Sequence, residues 1–172
     1  FGAPMKVEHF SASELLVIQN DGCKLSLKNL LLGDSSKVNR SDLIGKFGEG
    51  LKLGILALVR SGYGIEIRTG NELWIPSIEF SKVFGEKVLC FEIRRINSTK
   101  AENSVIINIR GISSVLWHIE LAPYFLFLEE TKMKMGGDDS ENIIRTIDGD
   151  LLLAEGQVGK IYVKGIFIEN NP

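Results

Sequence analysis

Two extended segments, residues 5–10 and 14–20, flank the short polar stretch Ser11-Ala12-Ser13. The second, ELLVIQN, is aliphatic enough for a buried strand, so the pair predicts a β-hairpin. Residues 25–32 mix apolar and polar side chains in the manner of one or two helical turns, closed by Gly33. Polar loop chemistry follows in GDSSKVNRSD. The second half of residues 44–62, IGKFGEGLKLGILALVRSG, predicts a helix. Its Leu51, Leu53, Ile55, Leu56, Leu58 and Val59 surround the axis, which predicts burial on most faces, and Gly62 ends it. Tyr63, Ile65 and Ile67 then alternate on one strand face. Gly70-Asn71 marks a hairpin turn, and strands over residues 72–80, 87–96 and 104–110 complete an antiparallel meander. Residues 115–128 are apolar and aromatic and predict a helix interrupted near Pro123. Residues 129–142 read as a flexible polar loop, and residues 160–168 as a closing strand. Hairpin, glycine-rich loop, buried helix and meander, in that order, predict an α+β two-layer sandwich.

The composition fits a single globular domain over residues 1–172, with 44% hydrophobic and 24% charged residues. A chain of this size buries roughly 70% of its unfolded surface, so a core forms without disulfide or metal staples. Cys23 and Cys90 lie far apart and read as thiols of a reducing compartment, which places the protein inside the cell, in cytoplasm or nucleus. No apolar run is long enough for a membrane helix. With 20 basic against 22 acidic residues, the charge gives no support to nucleic-acid binding. His9 and His118 stand alone, without metal-ligand spacing, and Trp74 and Trp117 read as core.

Three glycines, Gly45, Gly48 and Gly50, fall within six residues at the head of the predicted helix. Glycines there let backbone N–H groups approach an anion beside the positive end of the helix dipole. A Walker A loop requires serine or threonine after glycine-lysine, and Leu51-Lys52-Leu53 follows Gly50 instead. A dinucleotide fingerprint is poorly matched, because Gly54 follows Gly48-x-Gly50 one residue late and a polar loop rather than a strand precedes the motif. Spacing alone leaves a phosphate loop and a tight turn with close helix packing both open.

Residues 17–52 resemble the nucleotide site of the GHKL (Bergerat-fold) ATPases, the superfamily of gyrase B subunits, heat-shock chaperones, MutL and sensor histidine kinases. Asn20-Asp21-Gly22-Cys23-Lys24 is similar to its Asp-x-Gly-x-Gly adenine box, with Asn20 at the aspartate position and Lys24 at the second glycine. Gly33-Asp34-Ser35-Ser36-Lys37 resembles the Gly-x-Ser-x-Lys entry to the ATP lid, and Gly45 to Gly50 the Gly-x-Phe-Gly-x-Gly phosphate loop. The resemblance implies a Bergerat-type sandwich, a mostly antiparallel sheet with helices on one face. It implies base contacts at Asn20, Asp21 and Gly22, with the Ser104 hydroxyl supporting them. It places phosphate-binding and lid residues at Gly33, Ser35, Ser36, Lys37, Gly45, Lys46, Phe47, Gly48, Glu49, Gly50, Leu51 and Lys52, while Lys164 reads as a strand-exposed lysine, its alternative being the lysine with which a following element reaches a phosphate.

The implied cofactors are ATP and Mg2+, and the implied activity is ATP binding, with hydrolysis coupled to lid closure and to rearrangement of a dimer or protein partner. The family's catalytic glutamate and magnesium-holding asparagine sit on a helix ahead of the adenine box. No Glu-x-x-x-Asn pattern precedes Asn20 here, so the resemblance reads the chain as N-terminally truncated and its catalytic residues as unknown. The alternative is a catalytically inert Bergerat-fold module serving as an interaction platform, favoured by Asn20 and Lys24.

Overall fold

The structure, a computed structural model, describes residues 5–30, 49–97, 103–134, 142–147 and 149–170. It divides into two compact units, Phe1–Ile112 and Ser113–Pro172. The first holds an antiparallel six-stranded sheet built from β1 (Met5–Phe10), β2 (Leu15–Asp21), β3 (Gly64–Thr69), β4 (Glu72–Ser81), β5 (Glu86–Arg95) and β6 (Ser104–Arg110). Among the described residues, the helix α1 (Gly50–Arg60) packs on it, making the unit α+β as expected.

The expected hairpin at the start is present, with a 3-10 turn at Ser11–Ser13. The meander is only partly so, because the order is β1-β2-β6-β3-β4-β5. β6 leaves β5 and inserts between β2 and β3. Its register explains the placement: Ile107 pairs with both Ile18 and Ile67, and Ile109 with both Leu16 and Ile65. An apolar row flanked on both sides gains more burial at the centre of a sheet than at its edge.

Directly opposed residues share a sheet face, so the ladder sorts the side chains. Leu16, Ile18, Ile65, Ile67, Trp74, Ile93, Val105, Ile107 and Ile109 form one face. Lys6, Glu8, Gln19, Glu66, Arg68 and Asn108 lie on the other, where Arg110 pairs with Glu66 at 3.7 Å. The apolar face carries the core cluster of Ile55, Ile65, Ile67, Trp74 and Val105. Trp74 is fully enclosed, edge-on to Phe91, and its Nε1 donates to Glu72 Oε2 at 2.9 Å, so the buried indole keeps a partner.

On α1, Leu51, Ile55, Leu58 and Val59 recur at i, i+4, i+7 and i+8 and all pack against this cluster. Burial on most faces does not occur. Leu53 is 58% exposed and Gly50, Gly54 and Ala57 share its exposed side, because a helix lying on one sheet has an apolar partner on only one flank. The helix ends where expected: Gly62 takes φ 86, its N–H reaches Val59 O at 3.1 Å, and Tyr63 N reaches Leu58 O at 3.1 Å. That is the Schellman arrangement, which needs a residue tolerant of the left-handed region.

The second unit opens with α2 (Ser114–Leu116), capped by Ser113 Oγ accepting from Leu116 N at 3.2 Å. A π-helical turn at Trp117–Leu121 and a 3-10 turn at Ala122–Tyr124 follow, so the interruption at Pro123 is real. The stretch expected as polar loop begins helically, with α3 (Glu129–Lys134), and residues 135–141 lie outside the described residues. Two hairpins follow, β7 (Ile143–Arg145) with β8 (Asp150–Leu152), and β9 (Lys160–Val163) with β10 (Ile166–Asn170). The single closing strand expected over residues 160–168 is therefore two. Lys164, at φ 53, and Gly165 make the reversal, a turn hidden in the sequence by a lysine in a left-handed position.

Candidate functional site

β2 runs to Asp21 and the chain leaves the sheet at Gly22, whose φ of 73 suits glycine and whose N–H donates to Asn103 O at 2.8 Å. Cys23 Sγ turns back to donate to Asn20 O at 3.3 Å. The next residues cross the end of the sheet: Leu25 N donates to Thr69 Oγ1 at 2.8 Å, and a 3-10 turn forms at Leu27–Leu30. Cys23, Leu25 and Leu30 pack against the same cluster as Leu51, Leu58 and Val59 of α1. The segment after the box and the helix therefore share one apolar layer on one face of the sheet.

Asn20 stands opposite Val105, which stands opposite Thr69, so these three share the face that carries α1. Asn20 is exposed at the strand end, and its side-chain amide has no hydrogen-bond partner among the described residues. Asp21 is on the other face, where it accepts from Gln19 Nε2 at 2.6 Å and lies 3.4 Å from Lys6 Nζ. The Gln19 bond, helped by Lys6 and opposed by desolvation, holds the Asp21 carboxyl below the usual carboxylate range. Asn20 and Asp21 thus do not converge, since a one-residue step along a strand reverses the face.

Ser104 is buried and stands opposite Asp21, so the ladder puts it on Asp21's face and not on that of Asn20. The hydroxyl on Asn20's face is Thr69, buried and bonded to the segment after the box. The sequence reading did not single out Thr69. Its signal, a polar residue continuing the Ile65, Ile67 alternation, has meaning only once β6 lies between β2 and β3.

On the same layer, α1 starts at Gly50, with Leu53 N bonded to Glu49 O at 3.0 Å. Glu49, at the N-cap position, has helical dihedrals and makes no side-chain capping bond. A Cβ built on Gly50 meets nothing within 4 Å, so close packing among the described residues does not account for this glycine. Lys52 is buried in the first turn. The remaining residues of the expected lid and phosphate loop, Gly33, Ser35, Ser36, Lys37, Gly45, Lys46, Phe47 and Gly48, lie outside the described residues.

The chain matches no family model and no curated protein.

A cavity of about 540 Å3 opens at the Lys24 end of the box, between residues 24–28 and the β3–β4 turn, with Lys24, Lys28, Thr69, Asn71 and Glu72 on its walls. Neither Asn20 nor α1 lines it. Another, of about 790 Å3, lies in the second unit between its hairpins; Lys164 lines it, and no box or α1 residue does. Of the histidines, His9 Nε2 donates to Ile112 O at 2.8 Å, and His118 Nδ1 lies 2.8 Å from Glu130 Oε2. The described residues contain no group of three His, Cys, Asp or Glu side chains able to hold a metal ion. No helix among them is long and apolar enough to cross a membrane.

Proposed function

We propose that the first unit is a GHKL-type nucleotide-binding domain that takes ATP, with the base at the Asn20 end of β2 and the phosphates at the N-terminus of α1. The observation that carries this reading is the shared layer: the segment following the box and the helix following the glycine loop pack on the same cluster, on the face where Asn20 projects. A helix start without a side-chain cap, at a glycine whose Cβ direction is open, suits an anion held by backbone N–H groups. Hydrolysis coupled to lid closure, and to a dimer or protein partner, belongs to the same proposal and rests on the motif resemblance.

A second reading, a binding module without turnover, is favoured by the box itself. Its exposed end presents an amide, and its only carboxylate is engaged by Gln19 and Lys6 on the opposite face.

Thermal unfolding tests the binding claim. ATP at one hundred times its Kd stabilises a fold by about 2.7 kcal/mol, which raises Tm by about 5–10 °C for a chain of this size. Absence of a shift with ATP or ADP, with and without magnesium, refutes nucleotide binding. A shift accompanied by phosphate release selects the ATPase over the inert module.

A further inference from the structure

We infer that Asn20 makes the base site accept 6-amino and 6-oxo purines alike, so that it takes inosine and guanosine triphosphates as well as ATP. The inference rests on the nucleotide-site reading above and concerns which base that site selects. A carboxylate at a strand end only accepts hydrogen bonds: placed to pair with the 6-amino group of adenine, it repels the O6 that stands there in a 6-oxo purine and can pair only if the base shifts to offer N1–H. An amide carries an acceptor and two donors on one terminal group, whose terminal torsion is broad and roughly two-fold. Asn20 Oδ1 can accept from N6–H of adenine while Nδ2–H donates to N1. After a half-turn, Nδ2–H donates to O6 while Oδ1 accepts from N1–H of hypoxanthine or guanine. Each base receives two bonds.

Two features keep this choice open. No bond among the described residues fixes the orientation of the Asn20 amide. The adjacent carboxylate cannot impose a preference for adenine either, because Asp21 points to the far face and is held there by Gln19 Nε2 at 2.6 Å and Lys6 Nζ at 3.4 Å. Thr69, the neighbouring hydroxyl on Asn20's face, both donates and accepts, and its oxygen already serves Leu25 N. It therefore adds no fixed polarity.

The test is calorimetric titration of the protein with ATP, ITP and GTP, repeated with Asn20→Asp. ITP carries the 6-oxo group without the 2-amino group of guanine, so it isolates the contact in question, and GTP reports the added bulk. In the wild type, ITP is expected to bind within about tenfold of ATP. In Asn20→Asp, ATP binding persists and the preference for ATP over ITP widens by at least about tenfold, a difference of about 1.4 kcal/mol. Asn20 is exposed, and a matching melt of the variant shows that its fold is intact. The inference is overturned if the wild type binds ATP but holds ITP more than about tenfold weaker, or if Asn20→Asp leaves the ratio unchanged. If no nucleotide binds, the reading of the site falls and this inference falls with it.

Discussion

Replacing Gly50 by alanine separates packing from ligand binding as the reason for that glycine. Its built Cβ has nothing within 4 Å, and its φ is not in the left-handed region, so an alanine fits without strain. Glycine in a helix interior costs about 1 kcal/mol relative to alanine. Gly50 is the first helical residue, where fewer bonds are at stake, so Gly50→Ala should stabilise the apo protein by about 0.5 kcal/mol. Gly54 provides the control: it lies mid-helix on the same exposed side, also with an open Cβ direction, and Gly54→Ala should contribute about 1 kcal/mol. For a chain of this size these values correspond to Tm increases of about 1–2 °C and 2–4 °C. The methyl group on Gly50 would stand where phosphate oxygens approach the helix N-terminus, so its ATP affinity should fall by at least about tenfold, while Gly54→Ala binds as the wild type does. Differential scanning calorimetry and titration of the same samples give both quantities. A lowered apo Tm for Gly50→Ala refutes the open-space reasoning. ATP binding equal to that of Gly54→Ala refutes the phosphate assignment.

Two further outcomes test the fold around the site. Trp74→Ala empties a fully enclosed position of the core and should cost about 3–5 kcal/mol, a large part of the 5–15 kcal/mol typical of a domain. Urea titration followed by circular dichroism should show either an unfolded chain or a much lower midpoint, and an unchanged midpoint would contradict the packing described here. Asp21 has its folded pKa depressed by Gln19 and Lys6, so its contribution is present above the unfolded carboxylate value and is lost as pH falls through the lower folded value. Asp21→Asn should therefore flatten the acid limb of the stability–pH curve below about pH 4 and leave the neutral-to-basic limb parallel to that of the wild type. An acid limb as steep as before would show that Gln19 and Lys6 do not hold the Asp21 carboxyl down in solution.

Period-two alternation, turn residues and the Gly62 stop were enough to locate the first hairpin, α1, and strands β3 to β6, because each of those signals acts over a few neighbouring residues. The same local reading placed Asn20 and Asp21 together at a strand end. It could not tell which of them faces the helix, since that depends on the pairing of β2 with a strand more than eighty residues away. The burial of α1 was misjudged for a related reason: leucines around a helix declare hydrophobicity, but only the sheet beneath decides which of them have something to bury against. The β9–β10 hairpin of the second unit was illegible where Lys164 occupies a turn position usually marked by glycine or asparagine. What the sequence determined alone was the set of elements in the first unit and the order of the motifs that resemble a nucleotide site. What the tertiary structure decided was the insertion of β6 between β2 and β3, and through it the sides taken by Asn20, Thr69, Asp21 and Ser104. Strand order is fixed by burial summed over distant segments, and no single stretch of chain carries that sum.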